Sequence, residues 1–142
     1  MVPKTLWELR ITLSALWTAR MLSGLQGDST RLHDPVALRS LLDGTGDVQV
    51  APGLLVVMSV IFAVPILMVF LSLVLKEETC RRANRGFGTF FTLFDLVFLG
   101  LGLFLWPFSA YEAIWSVVYV LFTGFVAWYA WTWPVLDEVG GR

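Results

Sequence analysis

Two stretches of this chain carry no charge at all, residues 48–75 and residues 113–136. A helix needs roughly 20 apolar residues to cross the hydrocarbon core of a bilayer, so each stretch is long enough to cross once. A buried helix of a soluble domain has no need of that length. The chain is 57% hydrophobic and 15% charged, with a mean hydropathy of +0.74. An ordinary soluble domain carries about 25% charge. These features predict a single integral membrane domain, residues 1–142, with little soluble mass. The net charge of −1, with charges gathered mostly at the ends of the apolar blocks, makes the lipid bilayer the expected partner and argues against nucleic acid.

The pattern predicts an all-α, four-transmembrane-helix bundle with spans at residues 5–24, 52–75, 86–106 and 111–133 and an outer loop at 25–51. The first span is the least apolar, because Glu8, Arg10 and Arg20 fall inside it. Pro52 sits at a favourable first-turn position of the second span. Pro65, in the middle of that span, predicts a kink. Residues 76–85 read as a short charged link, and residues 107–110 as a tight hairpin connection. Within the outer loop, Asp34-Pro35 is an N-cap followed by proline at the first helical position, and Gly44 offers a stop. The first residues do not read as a cleaved signal peptide, since Glu8 and Arg10 interrupt the apolar run.

Four spans put both termini and the 76–85 link on one side. That side holds Lys4, Lys76, Arg81, Arg82, Arg85 and Arg142, against Arg31 and Arg39 on the other. The positive-inside rule then makes both termini cytoplasmic. The cluster Trp128, Tyr129, Trp131 and Trp133 falls where an interfacial aromatic belt is expected on the same side.

Asp95 stands alone in the apolar run from Gly86 to Trp106. A carboxylate near a span's midpoint costs about 2.5–3.5 kcal/mol on insertion scales, so the fold must compensate it or a function must use it. Gly88, Asp95 and Gly102 share one helical face, and glycines allow a neighbouring helix to approach closely. That face is expected to point into the bundle. Arg10, Ser14, Trp17 and Arg20 form a matching stripe on the first span, and Glu112, Ser116, Tyr119 and Thr123 one on the fourth. The expectation is an intramembrane polar cluster of Asp95 with Arg10 or Arg20, supported by Tyr119, Thr92 and Ser14. It serves either as a structural pair that fixes register or as a functional site.

Glu8 and Glu112 each close a capping-box pattern, Thr5-Leu-Trp-Glu8 and Ser109-Ala-Tyr-Glu112. The alternative for both, as for Asp95, is a proton-exchanging carboxylate. Cys80 and His33 are the chain's single cysteine and single histidine. They read as a spectator thiol in a cytosolic link and a solvated loop residue. The sequence offers no catalytic motif, no metal-ligating set and no cofactor signature.

Val48-Gln-Val-Ala-Pro-Gly-Leu-Leu55, Pro65-Ile-Leu-Met-Val-Phe-Leu-Ser-Leu-Val-Leu75 and Arg82-Ala-Asn-Arg85 resemble an uncharacterised family of short four-helix prokaryotic integral membrane proteins, a domain of unknown function. Leu13-Ser-Ala-Leu-Trp17 resembles that family's first helix. Arg10 and Arg20 depart from the family pattern. The resemblance implies the four-helix fold and the cytoplasmic membrane of a bacterium or archaeon, and brings no activity or catalytic residue. Three functional readings remain. The first is a small multi-pass membrane protein with a structural, accessory or ligand-binding role, open to homo-oligomerisation, and not an enzyme. The second is a small proton-coupled transporter, with Glu8 as the carboxylate. The third is a quinone-linked membrane enzyme subunit.

Overall fold

The computed structural model describes residues 5–44, 52–105 and 109–133, and among these the chain is entirely helical. Five helices follow in order: α1 (Leu6–Leu32), α2 (Pro35–Leu42), α3 (Pro52–Val74), α4 (Glu77–Phe104) and α5 (Ala110–Trp131). Of these, α3, α4 and α5 are long and apolar enough to cross a membrane. Lys4, Trp106 and Arg142, which entered the charge and span arguments, lie outside the described residues.

Two expected boundaries need correction. Residues 76–85 are not a link, because α4 begins at Glu77 and runs through them without a break. The segment is charged, but it contains neither glycine nor proline before Gly86. Its charges also suit a helix start: Glu77 and Glu78 lie in the first turn, where the helix dipole favours anions, and Arg82 pairs with Glu78 one turn away. The outer loop likewise starts later than residue 25. Gly24 and Gly27 do not end α1, which continues to Leu32. A Cβ on Gly27 would lie 2.5 Å from the Tyr119 hydroxyl and 3.5 Å from Trp115 Cγ, so this glycine admits α5 rather than breaking the chain. The Asp34-Pro35 start is found as expected, with the Asp34 carboxylate accepting from the Val36 and Ala37 N–H groups. These bonds, the Val36 N–H foremost, and the Tyr111 hydroxyl at 3.0 Å hold the Asp34 carboxyl below its ordinary pKa.

α1 is the centre of the assembly. It packs along α3 on one side and α5 on the other, while α4 packs chiefly on α5 and only slightly on α3. α1 and α4 therefore face each other across the bundle, and long side chains bridge them. Trp17 of α1 donates its indole N–H to Asn84 of α4 at 2.9 Å. Asn84 in turn donates to the Cys80 carbonyl and to the Ser72 hydroxyl of α3. Trp17, Ser72, Cys80 and Asn84 are all fully buried, so this knot is satisfied from within. Cys80 is thus a core residue whose thiol donates to the Ser72 carbonyl, not a loop thiol. α1 turns Leu9, Leu13, Trp17 and Arg20 inward and leaves Trp7, Ile11, Leu22 and Leu25 outside.

α3 docks by its second half only. Pro65, Met68 and Ser72 are buried, whereas every residue from 53 to 60 is exposed. The helix runs through Pro65 as one element. Arg10, anomalous in an apolar span, donates to the carbonyls of Leu73 and Leu75 at the end of α3. Arg85 does the same for Ala130 near the end of α5 and lies over the Trp131 ring. Both arginines satisfy carbonyls that have no intrahelical partner. Trp133 departs from the aromatic-belt expectation, since it is buried and its indole donates to Glu77.

The expected Gly88, Asp95 and Gly102 face is buried along its whole length. A Cβ on Gly88 would lie 2.9 Å from Val126 Cγ1 and 3.1 Å from the Ala127 backbone nitrogen, so the α4–α5 approach depends on this glycine. Gly88→Ala is expected to destabilise the fold by about 1–3 kcal/mol through overpacking, measured by reversible unfolding in mixed micelles. Gly100→Ala, where a Cβ meets nothing within 4 Å, is the matched control and should be neutral or stabilising, since alanine favours a helix over glycine. Equal effects of the two substitutions would refute this account of the interface.

Candidate functional site

The only lone carboxylate of the apolar α4 run meets a guanidinium from the opposite helix. Arg20 Nη2 of α1 donates to Asp95 Oδ1 at 2.9 Å, and the two residues are 5% and 3% exposed. The hydroxyl of Thr123, from α5, donates to the other carboxylate oxygen at 3.2 Å. The Arg20 guanidinium carbon lies 4.9 Å from the centre of the Tyr119 ring and 5.7 Å from that of Phe91. Three helices thus contribute to one buried, charge-compensated group. In a low-dielectric interior two desolvated ions are tolerable only when geometry and further hydrogen bonds offset the desolvation. Thr123 and the two aromatic faces supply those extra interactions.

The expected members separate into two sets. The structure brings Asp95, Arg20 and Tyr119 together. Arg10 caps α3 instead, Ser14 donates to the Val69 carbonyl of α3, and Thr92 donates to the Gly88 carbonyl of its own helix. The physical reason is the position of α3. It lies against the side of α1 that carries Arg10 and Ser14, and its carbonyls take both donors before they can reach Asp95. Thr123 was missing from the expected cluster, although it follows Tyr119 by four residues on the same face. That spacing was the available signal. Glu8 and Glu112 both take part in capping boxes, with the Thr5 N–H on Glu8 at 3.2 Å and the Ser109 N–H on Glu112 at 2.9 Å. His33 ends α1 with its Nδ1 2.7 Å from the Ser29 carbonyl oxygen. Among the described residues, no three histidine, cysteine, aspartate or glutamate side chains gather where a metal ion could be held.

The ion pair is not sealed in packed core. It forms the floor of a cavity of about 260 Å³ in the half of the bundle that holds the C-terminal end of α1. Aromatic residues from three helices wall it, with Phe62 of α3, Phe94 and Phe98 of α4 and Trp115 of α5 among them. Asp28, Arg31, Tyr111 and Glu112 bring charged and polar groups to its lining. The cavity exists because the first half of α3 stands away from the bundle and α3 scarcely touches α4. Compared with protein-family profiles, with curated proteins and with solved structures, the chain finds no match. The functional reading therefore rests on this geometry.

Removing one partner of the pair leaves the other charge buried and alone. Asp95→Ala is expected to destabilise the fold by about 3–5 kcal/mol, whereas the double variant Arg20→Met with Asp95→Leu should recover most of that loss. Unfolding in mixed micelles measures both. A double variant as unstable as the single one would mean that the pair does not act as a unit.

Proposed function

We propose that this chain is a four-span membrane protein that holds a small ligand within the bilayer, beside the Arg20–Asp95 pair. One observation carries the reading: a buried ion pair, costly in a membrane, lines an open cavity. A pair that served register alone has no use for open space beside it, since further hydrogen bonds, not a cavity, are what offset its desolvation.

α1 is taken as the fourth span although its composition is too polar to mark it as one. Its buried polar groups, Ser14, Arg20 and Ser23, turn inward, and its outer face carries Trp7, Ile11, Leu22 and Leu25. Its charged residues within the bundle are compensated by α3 and α4. Both termini are proposed to be cytoplasmic, because Lys76, Arg81, Arg82 and Arg85 gather at the end of the bundle where α3 meets α4, against Arg31 and Arg39 at the other. Kinship with the short four-helix prokaryotic family, and residence in a bacterial or archaeal cytoplasmic membrane, belong to the same proposal. A proton-coupled route through Glu8 is disfavoured by its capping role at the start of α1. Such a route would have to use Asp95, which itself lines the cavity.

Two measurements test this. In a Cys80→Ser background, a membrane-impermeant maleimide should label a Ser40→Cys variant in intact cells, and Lys4→Cys and Lys76→Cys variants only after permeabilisation. Labelling of the Lys4→Cys and Ser40→Cys variants from one side would remove α1 as a span, and with it the four-span topology. For the ligand, delipidated protein should melt at a higher temperature when host-membrane extract is added back, as expected when a ligand binds the folded state alone. The rise should shrink in Asp95→Asn. An extract that leaves the melting temperature of the wild-type protein unmoved would count against a ligand-binding role.

A further inference from the structure

We propose that the cavity takes the flat, uncharged, carbonyl-bearing head of a tailed amphiphile of the quinone class, admitted sideways from the bilayer between α3 and α4. The inference rests on the ligand-binding reading and adds the chemistry of the ligand and its path. Charge, hydrogen-bonding capacity, shape and access each point the same way.

The charges around the cavity are mixed in sign, and those of Arg20, Asp95 and Glu112 are already engaged. Arg20 is neutralised by Asp95. Glu112 is held by the N–H and hydroxyl of Ser109. Asp28 and Arg31 are one turn apart on α1, where opposite charges favour each other. A phosphate or carboxylate head would face Asp95, Asp28 and Glu112 in a poorly solvated space. An ammonium head would face Arg20 and Arg31. Unpaired charge is expensive there, so an uncharged head is the one that meets no group of its own sign.

Donors, by contrast, are in surplus at the floor. A guanidinium has five N–H donors, and Asp95 is the one acceptor that Arg20 has among the described residues. Its Nε has no partner but is sealed off from open space, which leaves Nη1 as the donor able to face the cavity. Its Nη1 lies beside Gly24, 3.7 Å from where a Cβ would sit, and both residues line the cavity. The Tyr119 hydroxyl, at the same wall, donates to the Ser23 carbonyl over a long 3.4 Å and can turn to a better acceptor. A carbonyl oxygen at this level accepts from both.

The walls suit a ring. Phe62, Phe94, Phe98 and Trp115 offer flat faces, and a planar head stacks on such faces in offset or edge-on arrangements. A cavity of roughly 150 Å³ already admits a benzene ring, so the 260 Å³ present accommodates a substituted one. The way in lies on the side. The exposed first half of α3 and its slight contact with α4 leave a gap edged by Met58 and Phe62 on one helix and Phe94 and Phe98 on the other, all of them exposed. An apolar tail lying in that gap stays in contact with lipid chains while the head reaches the ion pair.

The test uses the purified full chain in lipid nanodiscs and three probes that share a ten-carbon chain. Their heads are a benzoquinone, a carboxylate and a trimethylammonium group. Equilibrium dialysis measures saturable binding. Met58→Trp, which fills the gap without touching Arg20 or Asp95, is the second variant, and its ligand-free melting temperature reports on folding. The benzoquinone probe is expected to bind at least tenfold more tightly than either charged probe, and Met58→Trp is expected to weaken it tenfold or more with melting unchanged. Equal affinity for all three heads, or tighter binding of a charged one, overturns the inference while leaving a ligand-binding cavity. Benzoquinone binding that Met58→Trp leaves intact overturns the site and the lateral path. No saturable binding of any probe overturns the inference and removes support from the broader reading as well.

Discussion

A carboxylate in the middle of an apolar helix has to face inward, and the bundle is arranged around the consequence. Asp95 lies opposite α1, so α1 must present a cation at the same depth, and Arg20 does so. This fixes the rotation of α4 about its axis, the rotation of α1, and the depth of one against the other. Trp17 and Asn84 repeat the bridge nearer the other end. Two bridges between facing helices define their mutual register, and α5 closes against α4 through the glycine at position 88 and the hydroxyl of Thr123, and against α1 at Gly27. Because lipid provides no hydrogen bonds, each of these groups has its main partners within the protein.

Much of this was legible in the residues. The seven-residue spacing of Gly88, Asp95 and Gly102 identified the buried face of α4 before any coordinates, since the period of a helix makes such residues neighbours. The cation for Asp95 was narrowed to Arg10 or Arg20, but spacing along one helix could not decide between them. That choice depends on α3, whose terminal carbonyls take Arg10. The helix ends were less legible. Charge density at residues 76–85 and glycine content at 24–27 both imitate loops, yet neither prevents helix formation when pairing or close packing rewards it.

The cavity could not be read from the sequence at all. It comes from the position of the first half of α3, whose residues are uniformly apolar and so carry no periodic signal of which face is buried. Asn84 was also overlooked, because a single asparagine in a charged segment looks solvated until that segment is known to be a packed helix. In both cases the missing information was tertiary, set by how elements lie against each other.

The arginine contacts at the helix ends have a consequence for how the protein is made. α3 and α5 both finish at the end of the bundle where α1 and α4 begin, so their dipoles leave partial negative charge there. Arg10 and Arg85 stand at that same end and take up the exposed carbonyls. Arginines near a span's end are also what resists translocation during insertion. In the proposed topology that end is cytoplasmic, and Arg85 would then both bias how the chain enters the membrane and complete a helix. A chain inserted in that topology would have these caps on their own side before the helices assemble, and one threaded the other way would have to move two guanidiniums through lipid to gain them.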